Sequence, residues 1–169
     1  MSSAKSLAWI AIGTNQGNAQ AIYKRAIQRL GNHPRGLKLL GQSSAYRTEP
    51  VGKVRQPWFI NGVVLVETSC GPKTILRILH RIETSFGRNR RREKRWGPRR
   101  LDLDLLFYEQ RIIRSKSLIL PHPYLHLRRF VLTPLSQLSP NLFHPVLGKT
   151  VDILLRDVDD AARVERLRF

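Results

Sequence analysis

The chain has 169 residues, a length typical of one domain, and a formal net charge of +18 from 30 basic and 12 acidic side chains. Its one cysteine excludes an internal disulfide framework, and the sequence shows neither a signal-peptide layout nor an apolar run of membrane-spanning length. We therefore expect one cytoplasmic domain over 1–169, whose charge favours a polyanionic ligand such as a nucleotide or a nucleic acid.

Hydrophobic periodicity predicts alternating strands and helices over the first two thirds of the chain. In chain order these are a strand over 7–12, a helix over 19–30, strands over 37–48 and 59–68, a helix over 73–86 and a strand over 101–108. This order is typical of a ferredoxin-like α+β fold, an antiparallel sheet with helices on one face. The weaker pattern that follows predicts a short edge strand over 118–120, a loop or short helix over 122–130 and a helix over 151–160.

Asp102 and Asp104 lie in the last of the clear strands, within the run Trp-Gly-Pro-Arg-Arg-Leu-Asp-Leu-Asp-Leu-Leu at 96–106. Successive side chains of a strand point to opposite faces, so the two carboxylates share one face and the flanking leucines the other. Two strand rises separate them by roughly 6 to 7 Å. At an effective dielectric of about 20 their repulsion is about 2 to 3 kcal/mol. The pair therefore needs a cation, either an arginine or a divalent ion such as Mg²⁺.

A strongly basic segment precedes the two aspartates. Eight of the thirteen residues from Arg88 to Arg100 are basic, which is more positive charge than two carboxylates require. Because guanidinium groups match phosphate oxygens, the surplus favours a polyphosphate bound beside a metal ion. The sequence contains no P-loop and no G-x-G-x-x-G motif, so phosphates would be bound without either. A buried Asp–Arg ion pair beneath a solvated basic loop is the simpler alternative.

Other segments accompany the run at 96–106. They are Ala-Ile-Gly-Thr-Asn-Gln-Gly-Asn at 11–18, Tyr-Arg-Thr-Glu-Pro-Val-Gly at 46–52, Gln-Pro-Trp-Phe-Ile-Asn at 56–61, Leu-Pro-His-Pro at 120–123 and Arg-Arg-Phe at 128–130. Together they resemble the motifs of the 6-hydroxymethyl-7,8-dihydropterin pyrophosphokinase family of folate biosynthesis. The run at 96–106 is the most specific of them, and the resemblance extends over about residues 7–155.

The resemblance implies transfer of a diphosphate group from MgATP to the hydroxymethyl group of 6-hydroxymethyl-7,8-dihydropterin, with release of AMP. It implies two Mg²⁺ ions held by Asp102 and Asp104. The arginines implied in catalysis are Arg88, Arg90 and Arg99. The residues implied at the ATP site are Glu83, Trp96, Arg99, Leu105, His122 and Arg128. Those implied at the pterin site are Thr48, Glu49, Val51, Phe59, Asn61 and Phe130.

Within the pterin set, the two aromatic rings would stack on the heterocycle and the amide of Asn61 would hydrogen-bond its edge. The expected partners are the two substrates, with a monomeric chain and neither a membrane nor an obligatory nucleic acid.

Two details of the assignment stay open, and so does one alternative function. The phosphate-binding arginine pair has several candidates, namely Arg88, Arg90, Arg91 and Arg92. Pro123 follows His122 at a position where some relatives carry an aromatic residue. The alternative function is a basic RNA- or ribosome-binding module on the same sheet, which would use the charge directly, although the strands lack the aromatic pattern of RNA-recognition motifs.

Overall fold

The computed structural model describes residues 4–34, 36–52, 55–89 and 97–168. The strands within these ranges are β1 (Ser6–Thr14), β2 (Leu37–Gln42), β3 (Tyr46–Thr48), β4 (Phe59–Thr68), β5 (Asp102–Tyr108), β6 (Ile113–Arg114), β7 (Ile119–Leu120), β8 (Phe143–His144), β9 (Lys149–Thr150) and β10 (Val164–Arg166). The α-helices are α1 (Ala19–Gly31), α2 (Pro72–Ser85), α3 (Arg129–Leu138) and α4 (Val151–Asp157), and a 3-10 helix lies at Leu125–Leu127.

The main sheet is antiparallel, with the order β10-β3-β4-β1-β5 and with β2 also paired to β4. This arrangement confirms the predicted ferredoxin-like α+β class. The single strand predicted over 37–48 is wrong in detail, because it is divided into β2 and β3. At the division the hydroxyl oxygen of Ser43 accepts a hydrogen bond from the backbone N–H of Val63 at 3.0 Å, so a side chain replaces a backbone acceptor.

Short-range features explain where the two predicted helices begin. The side chain of Asn18 accepts a hydrogen bond from the backbone N–H of Ala21 at 3.0 Å and so caps α1. Pro72 occupies the first turn of α2, where its missing N–H costs nothing and its fixed φ suits a helix. Both helices then bury one apolar stripe each against the sheet.

The sheet separates two hydrophobic cores. The first lies between the sheet and the helices α1 and α2, and contains Ile10 and Leu103. The second lies on the opposite face, where α3 and α4 cover residues such as Val63 and Phe107. The expectation of helices on one face is therefore incomplete, because it considered only the chain up to residue 108.

The last third of the chain departs most from the predictions. The edge strand predicted over 118–120 exists as β7, but it pairs with β6 outside the main sheet, and the helix predicted over 151–160 ends at Asp157. Sequence reasoning missed two elements. Helix α3 was missed because Pro134 lies inside it, and proline disfavours a helix interior. Strand β10 was missed because it has only three residues. No helix in the described ranges is long and apolar enough to cross a membrane.

Candidate active site

A cavity of about 300 Å³ lies on the face of the sheet that is covered by α3. Strands β1, β3, β4 and β5, the segment between β3 and β4, and the start of α3 form its walls. The predicted site residues that line it are Thr48, Glu49, Val51, Phe59, Asn61, Arg99, Asp102, Asp104, Arg128 and Phe130. Further lining residues, which sequence reasoning did not select, include Gly13, Gln56 and Tyr124.

The two aspartates project from β5 into this cavity, while Leu103 and Leu105 are buried in the core on the opposite face. The predicted sharing of one face is thus confirmed. Their neighbours across the ladder are small, because Asp104 pairs with Ala11 and Asp102 with Gly13. Small residues on the adjacent strand leave open space above the carboxylates, where a ligand can be accommodated.

Asp102 is bound to two arginines. Its Oδ1 accepts from Nη1 of Arg88 at 2.5 Å, and its Oδ2 accepts from Nη1 of Arg99 at 2.5 Å. Arg88 also donates to Glu83, whose Oε1 accepts the backbone N–H of Leu103 at 2.8 Å. Burial would raise the pKa of Asp102, but the charges of Arg88 and Arg99 outweigh it and hold the pKa below its usual value. Asp102 is therefore ionised at neutral pH.

Asp104 has the opposite electrostatic environment. Burial, followed by the negative charge of Asp102, raises the pKa of Asp104 to about 7, and the charge of Arg128 opposes this only in part. Because 37% of its side chain is exposed, solvent screens part of the effect. The pKa is nevertheless raised, because burial and the charge of Asp102 act in the same direction, and the position favours a cation that enters the cavity.

His122 lies beside this carboxylate with its Nε2 atom 4.0 Å from Oδ2 of Asp104. Burial, assisted by the charge of Arg128, lowers the pKa of His122 to about 4, so the ring is neutral at pH 7 and the contact is no salt bridge. Its Nδ1 accepts the backbone N–H of Tyr124 at 3.3 Å. The neutral ring therefore carries its proton on Nε2 and is a hydrogen-bond donor there.

Aromatic side chains and Arg128 form the wall that faces the sheet. The guanidinium carbon of Arg128 lies 5.4 Å from the ring centroid of Tyr124 and 5.8 Å from that of Phe130. These cation–π contacts hold the arginine over the cavity, where it adds positive charge near the aspartates.

Asn61 defines the other end of the cavity. Its Nδ2 donates to Oγ1 of Thr48 at 2.7 Å, and both residues are buried. A Cβ atom on Gly13 would lie 2.7 Å from Oδ1 of Asn61, so only glycine leaves room for the amide in this orientation. The hydrogen bond fixes the amide and the glycine accommodates it, which presents a polar group on an apolar wall.

Asn15 joins the two loops that enter the site, and sequence reasoning missed this role. Its Nδ2 donates to Oε1 of Gln56 and to the carbonyl oxygen of Pro57, both at 2.9 Å. Its Oδ1 accepts the backbone N–H of Arg99 at 2.8 Å, and its own N–H donates to the carbonyl oxygen of Arg99 at 3.0 Å. The available signal was its position, a polar side chain in a turn directly after an apolar strand; the structure shows that it is buried and therefore needs these partners.

The sequence model of the 7,8-dihydro-6-hydroxymethylpterin-pyrophosphokinase (HPPK) family matches residues 9–140. The chain belongs to this family. Its activity is accordingly ATP-dependent pyrophosphoryl transfer in folate biosynthesis, and it is a transferase. None of these findings supports the alternative of an RNA-binding module.

Two bacterial relatives cover most of the HPPK chain. The 2-amino-4-hydroxy-6-hydroxymethyldihydropteridine pyrophosphokinase of Methylorubrum extorquens is 36% identical over 160 residues, which is 95% of this chain and 98% of that protein. The enzyme of the same name from Bacillus subtilis is 39% identical over 132 residues, which is 78% of this chain and 77% of that protein.

Solved structures agree with the fold. The wild-type HPPK-DHPS of Plasmodium falciparum with pteroate superposes with a TM-score of 0.73 at 17% identity, over 92% of this chain and 43% of that one. The same protein in another crystal structure gives a TM-score of 0.68 over 90% of this chain and 44% of that one. This chain thus spans less than half of these longer proteins, and the likeness shows the fold alone.

Not every predicted HPPK site residue lines the cavity. Arg88 and Glu83 lie beneath it, with side chains 5% and 1% exposed, and support Asp102 from below. The side chain of Leu105 lies in the core on the far face of β5, because the period of a strand places it opposite the aspartates. His122 flanks the cavity beside Asp104. The remaining predicted positions, Arg90, Arg91, Arg92 and Trp96, lie outside the described residues.

The donor set of this HPPK cavity fits Mg²⁺. Two carboxylates on one face are the protein ligands typical of a magnesium ion that also binds substrate phosphates. Within the described ranges no cluster of three or more such metal-ligating side chains occurs. A bound cation would also oppose the effect of burial and of the Asp102 charge, which together raise the pKa of Asp104.

Proposed function

We propose that this cavity is the active site, where the diphosphate group of MgATP is transferred to the hydroxymethyl oxygen of 6-hydroxymethyl-7,8-dihydropterin and AMP is released. The observation that carries the proposal is the arrangement of unlike groups around one cavity. Asp102 and Asp104 lie beside Arg99 and Arg128, and the amide of Asn61 lies among aromatic side chains at the other end. The first group suits phosphates and a metal, and the second suits a flat polar heterocycle.

At the pterin end, the residues would bind by shape and by hydrogen bonding. Phe59 and Phe130 supply apolar ring surface on the cavity wall. Because Nδ2 of Asn61 already donates one hydrogen to Thr48, its second N–H and its carbonyl oxygen remain to pair with the polar edge of the ring. Glu49 and Val51 would close the open side through the loop that follows β3.

At the phosphate end, Asp102 and Asp104 would hold two Mg²⁺ ions with the triphosphate. Bound Mg²⁺ neutralises negative charge on the transferring group. Arg99 and Arg128 are placed to contact phosphate oxygens, and neutral His122 would donate a hydrogen bond from Nε2. Arg88, held by Glu83, would act by keeping Asp102 ionised and oriented. Arg90 and Trp96 are proposed at this end from the family resemblance alone.

In the proposed reaction, the pterin hydroxymethyl oxygen forms a bond to the β-phosphorus of ATP. The bond between that phosphorus and the oxygen bridging to the α-phosphate breaks, and AMP leaves with that oxygen. The hydroxymethyl proton is lost to solvent or to a phosphate oxygen. The protein contributes alignment of the two substrates and stabilisation of charge, which are the main requirements of phosphoryl transfer.

The test is turnover of the variants Asp102→Ala and Asp104→Ala. Each removes a proposed metal ligand, so each should lower kcat by at least about 100-fold at limiting Mg²⁺. Asp157→Ala is the matched control, because this exposed aspartate pairs only with the surface side chain of Lys149 among the contacts described. Near-wild-type turnover of both site variants would refute the metal role.

We propose that residues 1–169 form one pyrophosphokinase domain, which is supported by two cores packed on opposite faces of one sheet. A monomeric state, a cytoplasmic location and independence from nucleic acid are also predicted. Thermal melts with MgATP analogue and pterin, compared with melts in RNA, would test the last of these.

A further inference from the structure

The C-terminal strand β10 lies beside the loop that closes the pterin end of the cavity. It pairs with β3 in the register Val164↔Thr48, so the residue before it, Arg163, lies opposite Glu49. The backbone N–H of Glu49 donates to the carbonyl oxygen of Arg163 at 3.1 Å and continues the pairing by one residue. Arg163 is outside the range 9–140 that the family model matches.

Arg163 binds both carboxylate oxygens of Glu49. Its Nε and Nη2 atoms lie 3.1 and 3.0 Å from Oε1, and its backbone N–H donates to Oε2 at 2.9 Å. These contacts, the backbone hydrogen bond first, hold the pKa of Glu49 below its usual value. Since Glu49 also lines the cavity, Arg163 is in direct contact with a residue of the cavity wall.

Arg163 also contacts Trp58, the residue directly before β4. Its guanidinium carbon lies 4.8 Å from the ring centroid of Trp58, and that of Arg47 lies 4.6 Å from the same ring. Trp58 precedes Phe59, which lines the cavity and pairs with Thr48. One guanidinium group therefore joins the end of β3 to the start of β4, the two segments that carry the proposed pterin contacts.

We propose that Arg163 is a positioning residue for pterin binding, which holds the loop after β3 and the start of β4 in the geometry that fits the heterocycle. The inference rests on the proposed function of the cavity. It touches the pterin end alone, because the contacts described for Arg163 involve Glu49 and Trp58 and none of the groups beside the aspartates. Its loss should therefore weaken pterin binding and leave ATP binding unchanged.

The experiment compares Arg163→Ala with Arg156→Ala. The two arginines are similarly exposed, at 67% and 71% of the side chain, and Arg156 makes its ion pair with Asp152 within α4, neither of which lines the cavity. We expect the pterin KM of Arg163→Ala to rise roughly 5- to 20-fold, with an unchanged KM for ATP. Arg163→Lys keeps the charge but not the planar fork, so it should restore only part of the loss.

A second readout is independent of activity. Hydrogen exchange should be faster at the amides of Glu49 and Gly52 in Arg163→Ala than in either wild type or Arg156→Ala. A pterin KM equal to that of the control would overturn the proposal, and so would a parallel rise of both KM values with a lowered Tm. Failure of the proposed function is a different result, because wild type itself would then show no turnover while the exchange comparison could still be made.

Discussion

Gly13 offers a sharp test of the pterin end, through the substitution Gly13→Ala. The added Cβ would lie 2.7 Å from Oδ1 of Asn61, and moving to ordinary contact requires a displacement of about 0.7 Å. The amide cannot move freely, because its Nδ2 donates to Thr48 at 2.7 Å within a buried site. The displacement should break that hydrogen bond or misalign the amide with the ligand.

The cost of a buried hydrogen bond that is broken or left unsatisfied is about 1 to 3 kcal/mol. We therefore expect pterin affinity to fall roughly 5- to 150-fold. ATP affinity should change little, because the same Cβ would lie 3.9 Å from the Cβ of Asp102, an ordinary contact. Gly13 lies in a strand and needs no positive φ, so the backbone itself accepts alanine. The disturbed hydrogen bond between Asn61 and Thr48 should nevertheless lower the free energy of unfolding by about 1 to 3 kcal/mol.

Titration calorimetry with pterin and with an ATP analogue is the appropriate assay. Gly71→Ala is the matched control, since a Cβ at that position meets no heavy atom within 4 Å and its φ is −66°. Wild-type pterin affinity in a folded Gly13→Ala protein would refute the reasoning. Equal losses for both ligands would show that the substitution acts on the whole site and not on the amide.

Two further predictions concern Asn61 and Asp104. Asn61→Ala should weaken pterin binding far more than ATP binding, because it removes the amide that pairs with the polar edge of the ring. Calorimetric titration with each ligand tests this, and equal losses of affinity would indicate an effect on folding. For Asp104, the folded pKa of about 7 lies above the ordinary 3.8, so the bound proton stabilises the fold fully below about pH 4 and this contribution is lost as pH rises through 7. In thermal melts without Mg²⁺, the free energy of unfolding of wild type should fall by on the order of 1 kcal/mol relative to that of Asp104→Asn as pH rises through this range, solvent screening included. Parallel pH profiles of the two proteins would contradict the raised pKa.

Local patterns in the sequence were sufficient for the strands β1, β4 and β5 of the central sheet and for the shared face of the two aspartates. A strand has a period of two residues, so Asp102 and Asp104 had to share a face whatever the rest of the fold. The helices α1 and α2 followed from apolar residues at helical spacing. The motif resemblance added the family and most of the residues that line the cavity.

Tertiary structure decided which groups act on those residues. The pairing of Arg88 with Glu83 and Asp102 joins a helix, a loop and a strand, and the contact of Gly13 with Asn61 depends on the register between two strands. Contacts between distant segments produce no periodic pattern in the local sequence. Strand β10 has only three residues and forms because it pairs with β3, which is distant in sequence. Helix α3 forms because its packing against the sheet outweighs the cost of Pro134. Interactions between distant segments depend on the folded arrangement, and a sequence pattern reports only on neighbours along the chain.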